Sequence, residues 1–240
     1  MSYKKFCKCG CKEKVNPGNL FIWGHNKGNK KYYFDENYFE KIDNPEKAYI
    51  LGYFTGDGCI PKEKTRLSIS TTKDKEILFK ILEQLKAKNP IKKVPRYNKE
   101  WNRHFISWRI NFCSKKLVND LKKYGIVPQK SFKTFFPDKL IPEKYWRDYI
   151  RGVFDADGCI SKRKEGRFNI TGNIRLIKKI QIILIKQCVL NKRKLKLSKN
   201  NFISGISYSG INNCRKIYDY LYYKDCLCLE RKLKIWRKIL

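Results

Sequence analysis

The chain has 240 residues, and its 55 Lys and Arg residues against 22 Asp and Glu residues give a formal net charge of +33. Such a surplus destabilises a compact fold by self-repulsion, and it suits a dense polyanion such as nucleic acid, which releases counterions when lysines contact its phosphates. A membrane partner is disfavoured, because no apolar run approaches the ~18 residues that a spanning helix needs and the basic residues are spread along the whole chain.

The N-terminal residues 1–31 contain three cysteines and a histidine, Cys7, Cys9, Cys11 and His25. Three Cys and one His form a complete ligand set for tetrahedral zinc. The fragment resembles short Cys-x-Cys-Gly-Cys…Gly-His zinc knuckles that are attached to some DNA-processing proteins. Its spacing departs from the usual C-x₂-C, so the alternative is a basic tail with incidental thiols. The sequence therefore leaves two interpretations of this extension, one structural Zn²⁺ or none.

The other seven cysteines are scattered through the chain. Because the sequence shows no export signal, we expect an intracellular, reducing compartment without disulfides. We therefore expect these residues to be small buried hydrophobes. They are Cys59, Cys113, Cys159, Cys188, Cys214, Cys226 and Cys228.

An internal repeat organises the remainder of the chain. Residues 48–60, AYILGYFTGDGCI, align without a gap with residues 148–160, DYIRGVFDADGCI, at an offset of 100 residues. In each half, strand-like alternation and amphipathic helical stretches follow the motif in the same order. The sequence predicts an α+β fold of two pseudo-symmetric αββαββα half-domains, residues 32–127 and 144–240, joined by a proline-containing linker at 128–143.

The predicted elements after each motif have matching positions. The predicted strands span 66–71, 93–97 and 105–112 in the first half, and 167–171, 195–198 and 202–209 in the second. The predicted helices span 72–86 and 114–124 in the first half, and 173–187 and 211–221 in the second.

Each motif is predicted to be a helix that ends at a glycine, Gly58 or Gly158, in the left-handed conformation that glycine adopts readily. Small residues four apart share a face of each helix, Gly52 with Gly56 and Gly152 with Ala156. Small residues let two helix backbones approach closely, so we expect the two motif helices to pack together about a pseudo-two-fold axis.

That packing places Asp57 and Asp157 at the same end of the helix pair. Both carboxylates then lie near helix C-termini, which carry partial negative charge, and near each other. A divalent cation resolves this repulsion, and Mg²⁺ is commonly held by one or two carboxylates together with waters and phosphates. We expect two or more Mg²⁺ ions here, with the backbone carbonyls of Gly56 and Ala156 as further ligands.

Residues 50–58 and 150–158 resemble the nine-residue motif of the LAGLIDADG homing endonucleases, and the resemblance covers about residues 46–240. It implies that the eighth-position acids, Asp57 and Asp157, are the catalytic metal ligands. The first copy departs from the motif at the sixth position, with Thr55 where the second keeps Asp155. The resemblance also implies a basic residue near the scissile phosphates. Lys130 lies 73 residues after Asp57 and Lys232 lies 75 after Asp157, so we expect these lysines to fill that role.

The strands are expected to contact DNA, because polar and apolar residues alternate along them. The family resemblance implies that two curved antiparallel sheets form a DNA-binding saddle around the central motif helices. The expected DNA-contacting residues are Arg66, Ser68, Ser70, Arg167, Asn169 and Thr171.

The expected function is therefore that of a monomeric endonuclease, which binds a long asymmetric site in double-stranded DNA and cuts both strands. Two alternatives use the same fold. One is an RNA maturase that assists group I intron splicing by binding intron RNA, and the other is a DNA-binding regulator built on an inactive nuclease. The paired Asp57 and Asp157 favour the endonuclease, because binding alone requires neither acid.

Overall fold

The structure is a computed structural model that describes residues 5–7, 13–22, 32–62, 65–100, 102–161, 165–198 and 202–240. The chain divides into two compact units, residues 1–33 and residues 34–240. In the first unit, Phe6 and Lys14 form an antiparallel bridge, and the buried Cys7 thiol accepts the amide N–H of Ile22 at 3.4 Å. The other predicted zinc ligands, Cys9, Cys11 and His25, lie outside the described residues.

The second unit repeats one order of elements twice. The first copy comprises α1 (Pro45–Asp57), β1 (Gly58–Cys59), β2 (Arg66–Thr71), α2 (Lys75–Gln84), β3 (Lys92–Asn98), β4 (Arg103–Cys113) and α3 (Lys115–Lys123). The second copy comprises α4 (Trp146–Asp157), β5 (Gly158–Ile160), β6 (Arg167–Asn173), α5 (Ile174–Cys188), β7 (Lys196–Leu197), β8 (Ile203–Ser209) and α6 (Ile211–Leu221), and α7 (Glu230–Ile239) follows it. Short 3₁₀ turns at Lys130–Phe132 and Glu143–Tyr145 interrupt the connection between the copies.

Each copy contains a four-stranded antiparallel sheet, with strand orders β1-β2-β4-β3 and β5-β6-β8-β7. One face of each sheet packs on the core, as the buried side chains of Leu67 and Ile69 show in β2 and those of Phe168 and Ile170 show in β6. The opposite face, called the open face below, carries the polar residues that alternate with them. The predicted α+β fold with two αββαββα copies is confirmed. Among the described helices, none is both long and apolar enough to cross a membrane.

Local sequence signals account for where the helices begin. Asn44 accepts the amide N–H of Lys47 at 2.8 Å, and Pro45 occupies the first turn of α1, where its missing N–H is harmless. Ser114 caps α3 in the same way through the amide N–H of Leu117, at 3.1 Å. Asn173 caps α5.

The two motif helices, α1 and α4, pack against each other through their glycines. A Cβ atom on Gly52 would overlap the carbonyl oxygen of Tyr149 and lie 3.0 Å from the amide nitrogen of Val153. A Cβ on Gly152 would overlap the carbonyl oxygen of Tyr49 in the same manner. The helix backbones therefore touch directly at this crossing, as the small-residue spacing predicts.

The predicted left-handed conformation of the glycines after the motifs is wrong. Gly58 has φ −69° and ψ 140°, and Gly158 has φ −91° and ψ 169°, so both are extended and begin strands. Their lack of a side chain serves a different purpose, because a Cβ on Gly58 would lie 2.5 Å from the carbonyl oxygen of Phe54. Glycine lets the chain turn from helix into strand against the last helical turn.

The expectation that the scattered cysteines are buried is wrong for three of them. Cys59, Cys113 and Cys159 are exposed, whereas Cys188, Cys214 and Cys228 are buried and Cys226 is partly exposed. The three exposed thiols stand opposite Ser68, Arg66 and Asn169 in the strand ladders. Directly opposed residues share a face of a sheet, so these thiols lie on the open faces.

Helix α7 extends the second copy beyond the predicted pattern. It buries Leu233 and Trp236, and Leu229 before it is also buried. The spacing of these apolar residues fits one helix face, so the sequence contained the signal. The first copy has only the 3₁₀ turn Lys130–Phe132 at the matching place.

We expect Gly52→Ala and Gly152→Ala each to lower the free energy of unfolding by about 1–3 kcal/mol or more, because the new methyl group meets backbone atoms that cannot rotate away. Gly205→Ala is the matched control, since a Cβ there meets its nearest atom, the Thr171 hydroxyl, at 3.4 Å. Urea denaturation measures all three. Equal effects at the three positions would contradict the tight helix contact.

Candidate functional site

The two motif helices end side by side, and each ends with an aspartate. A Cβ on Gly56 of α1 would lie 2.9 Å from the Oδ2 atom of Asp157 at the end of α4, so the carboxylate of one helix packs on the last turn of the other. The pKa of the Asp57 carboxyl is raised from 3.8 to about 6. Burial is the largest cause and the nearby Asp157 charge contributes to the rise, whereas a hydrogen bond from Tyr53 opposes it. Burial also raises the pKa of Asp157.

Two clefts open at this point, one beside each aspartate. The Asp57 cleft combines Asp57 with Ala156 of the opposite motif helix, and the Asp157 cleft combines Asp157 with Gly56. Each cleft therefore offers a carboxylate from one copy of the repeat and the helix end of the other. The cleft walls continue onto strand ends, Ser70 and Thr71 for the first and Thr171 and Asn173 for the second.

The two lysines that follow the repeats both bind main-chain carbonyls at the ends of the motif helices. The Lys130 ammonium donates to the carbonyl of Thr55 at 2.6 Å and also to that of Gly56. The Lys232 ammonium donates to Phe154 at 2.5 Å and to Asp155 and Gly158 at 2.7 Å each. The last carbonyls of a helix lack intrahelical partners and carry partial negative charge, so both lysines act as C-terminal caps.

These caps also bring positive charge to the aspartates. Burial has the larger effect and raises the pKa of both carboxyls, and the charges of Lys130 and Lys232 lower the pKa of Asp57 and of Asp157. Burial lowers the pKa of both lysines, and the neighbouring acids partly restore it. Lys232 is only 4% exposed, and three carbonyls accept its three N–H groups, whereas Lys130 lines the Asp157 cleft. The two lysines thus occupy related positions with different access to a ligand.

The residues expected to contact DNA lie on the open faces of the sheets. Arg66, Arg167 and Thr171 are exposed, and the others are half-buried. Side-chain hydrogen bonds order this surface, from Ser68 to the Asn111 oxygen at 2.6 Å and from Arg167 to the Ser209 hydroxyl at 3.0 Å.

One ion pair beside the Asp57 cleft was not predicted from the sequence. Arg231 of α7 donates two hydrogen bonds of 2.7 Å to Asp74, the residue before α2, so the pair joins the two copies of the repeat. Both residues line the Asp57 cleft. They are 157 positions apart, a separation at which no local pattern connects two residues.

The oxygen atoms at the helix ends suit a hard divalent cation. Within the described part of the chain, no group of three or more His, Cys, Asp and Glu residues is placed to hold a metal ion. Mg²⁺ does not require such a group, because one or two carboxylates suffice when waters and phosphates complete its shell. The carboxylates of Asp57 and Asp157 and the carbonyls at the two clefts provide that chemistry.

Comparisons with known proteins identify the fold. Residues 44–136 match the family described as LAGLIDADG-like domain. The homing endonuclease I-WcaI bound to its DNA recognition sequence superposes with a TM-score of 0.56 at 16% identity, over 85% of this chain and 91% of that one. Full-length DUF199/WhiA from Thermatoga maritima superposes with a TM-score of 0.53 at 12% identity, over 85% of this chain and 65% of that one. These likenesses show the LAGLIDADG two-half-domain fold.

One curated relative matches most of this chain, but the matching part is a small fraction of that relative's own length. The replication factor C small subunit of Methanocaldococcus jannaschii is 27% identical over 199 residues, which are 80% of this chain and 10% of that protein. This chain therefore spans about a tenth of that relative. The match therefore does not transfer the activity of the whole relative to this chain.

We expect Asp57→Asn and Asp157→Asn to stabilise the metal-free protein at pH 7.5, by about 1–3 kcal/mol for Asp57 given its pKa of about 6. A carboxyl whose pKa is raised by folding holds its proton more tightly in the folded chain, so ionising it as the pH rises through 4 to 6 reduces stability. The gain should therefore shrink towards zero at pH 4. Asp219→Asn, on the exposed side of α6, is the control. Loss of stability at pH 7.5 would indicate a structural role for the acids.

Proposed function

We propose that this chain, with its LAGLIDADG-like domain in residues 44–136, is a site-specific DNA endonuclease that hydrolyses one phosphodiester in each strand with Mg²⁺. The observation that carries the proposal is the pairing of Asp57 and Asp157 at two adjoining helix ends, each beside its own cleft. The mutual repulsion and burial of the two carboxylates disfavour this arrangement in the absence of a cation. Two acids in two clefts suit two strand cuts.

We propose that each cleft holds Mg²⁺ through the aspartate of one copy and the backbone carbonyl of the other, Asp57 with Ala156 and Asp157 with Gly56. Lys130 already donates to the Gly56 carbonyl, so that oxygen would use its second lone pair for the metal. Bound Mg²⁺ would activate a water and stabilise the leaving 3′-oxygen. With a pKa of about 6, Asp57 is mostly ionised at neutral pH, as a metal ligand must be.

The two lysines would support this chemistry in different ways. Lys130 lines the Asp157 cleft and would place a positive charge beside a phosphate bound there. Lys232 is buried with its three N–H groups on carbonyls, so it would act by holding the end of α4, and hence Asp157, in position. Lys232 is in that sense a positioning residue.

Duplex DNA is the partner that the rest of the surface fits. The net charge of +33 favours a polyanion, and the open faces beside the two clefts present arginine, asparagine, serine and threonine side chains to base edges. Because one chain contains both clefts, a monomer would suffice for a double-strand cut at a long asymmetric site. I-WcaI, with the same fold, is described as bound to its DNA recognition sequence.

We expect Asp57→Asn or Asp157→Asn to abolish double-strand cleavage in Mg²⁺ while DNA binding persists, because the base and phosphate contacts lie on the strands. A cleavage selection from a randomised duplex library supplies the target, and gel assays with that target compare cutting and binding. Asp219→Asn makes the same chemical change at an exposed site away from the clefts. Wild-type cutting by the Asn variants would remove both acids from the mechanism, and binding without any cutting by the wild type would favour a regulator.

Alkylation of the exposed thiols on the open faces tests the proposed DNA-binding surface without any mutation. We expect the target duplex to protect Cys59, Cys113 and Cys159 from alkylation by N-ethylmaleimide, because they stand opposite predicted DNA-contacting residues or in the same strand ladder. Cys226, in the segment between α6 and α7, is the internal control and should react at the same rate with and without DNA. Peptide mass spectrometry measures each thiol. Protection of Cys226 alone would place the DNA elsewhere.

A further inference from the structure

The two copies of the repeat differ in the length of the hairpin at the outer edge of each sheet. In the first copy, β3 and β4 form seven residue pairs, from Lys92 opposite Arg109 to Asn98 opposite Arg103. In the second copy, the described residues of β7 and β8 form two pairs, Lys196 opposite Gly205 and Leu197 opposite Ser204, and the Ser198 amide N–H donates to the Ile203 carbonyl beyond them. If that bond is counted as a third pair, the first hairpin is about four pairs longer, or about 14 Å at ~3.4 Å per residue.

The strand registers show which positions in the two hairpins are equivalent. Arg109 pairs with Ser70 on one side and Lys92 on the other, and Gly205 pairs with Thr171 and Lys196 in the same way. The two hairpins therefore start from equivalent positions. Beyond them, the first copy continues as a two-stranded arm, residues 93–98 paired with residues 103–108.

The open face of this arm is basic and joins the Asp57 cleft. Directly opposed residues share a face, so Arg96 with Phe105 and Asn98 with Arg103 lie on the same side as Ser70. Arg96, Phe105 and Ser107 also line the Asp57 cleft. Neither strand contains an acidic residue. A polyanion that enters the cleft thus meets one continuous surface that leads out along the arm.

Hydrogen bonds hold the arm in shape although it extends beyond the core. Arg96 donates from Nε to the Ser107 hydroxyl at 3.2 Å, and Ser107 donates to the Val94 carbonyl at 3.3 Å. Near the tip, the Tyr97 hydroxyl donates to the Asn102 oxygen at 2.6 Å, and its ring lies 4.8 Å from that of His104. The outer pairs are nevertheless exposed, and Phe105 keeps 37% of its surface accessible. An ordered, exposed arm with arginines and an aromatic ring suits contact with base edges.

We propose that this chain reads its two DNA half-sites over unequal lengths, and that the open face of the β3–β4 arm recognises about four more base pairs on its own side. The estimate follows from the extra ~14 Å of strand and the ~3.4 Å rise of DNA per base. Arg96 and Arg103 are the specificity-determining residues of the additional segment. The inference rests on the proposed function, because the occupant of the arm is the same duplex that enters the clefts.

Selection for binding and, separately, for cleavage from a fully randomised duplex library tests the inference. We expect base preferences to extend about four base pairs further from the cut positions on one side than on the other. Arg103→Ala should reduce the preference at the outer end of that longer side by about tenfold and leave the opposite half-site unchanged. Lys93→Ala is the matched control, because it removes a charge from the other face of the same arm. It should weaken binding to all sequences equally.

The outcomes separate this inference from the function on which it rests. Cleavage with preferences of equal extent on both sides, or Arg103→Ala with unchanged outer preferences, overturns the role of the arm and leaves the endonuclease intact. A library that is neither bound nor cut overturns both. Arg103 is exposed, and circular dichroism of the variant verifies that any change in preference arises from a folded protein.

Discussion

Direct contact between the backbones of α1 and α4 is the constraint on which the rest of the structure depends. Gly52 and Gly152 leave no room for a side chain against the carbonyls of Tyr149 and Tyr49. With the helices fixed at this distance, their C-termini lie side by side, and the strands that begin at the next residues diverge into the two sheets. The location of the aspartates, the composite clefts and the open faces all follow from one helix crossing.

This crossing concentrates negative charge, and the chain compensates for it with specific partners. Two helix C-termini and two carboxylates meet in a partly buried volume, where each raises the energy of the others. Lys130 and Lys232 bind the terminal carbonyls, and Tyr53 donates a hydrogen bond to Asp57. The pKa of Asp57 nevertheless remains raised, at about 6. Burial is the largest cause of that rise, so the site holds a carboxylate whose charged form is costly there, which supports the proposal that a divalent cation binds it.

The sequence predicted the parts of this fold that depend on local periodicity. The duplicated motif gave the order of elements, and the helix at Ile211–Leu221 has the predicted bounds, because alternation and helical spacing are local properties. The family resemblance, together with the matched spacing after each motif, singled out Lys130 and Lys232 among many lysines. Their carbonyl partners were not predictable, since 74 to 78 residues separate donor from acceptor. The extended conformation of Gly58 was not predictable either, because it depends on the pairing of Gly58 with Ile69 of β2 after the helix ends.

The two motifs differ at their sixth position, which is Thr55 in α1 and Asp155 in α4. This difference goes together with the additional helix α7 of the second copy. Asp155 is fully buried, and it accepts the Tyr49 hydroxyl and the amide N–H of Leu229, each at 2.8 Å. Leu229 immediately precedes α7, so the acid anchors the helix that carries Lys232. Thr55 has no such helix beside it, and its hydroxyl instead binds the Leu51 carbonyl at 2.9 Å and approaches the Tyr149 hydroxyl at 3.0 Å. A buried carboxylate at position 55 would lack the amide that stabilises its counterpart. The two copies therefore differ both at this position and in the segment that caps each motif helix, and the clefts they form are chemically unlike, as the proposed duplex with two different half-sites would require.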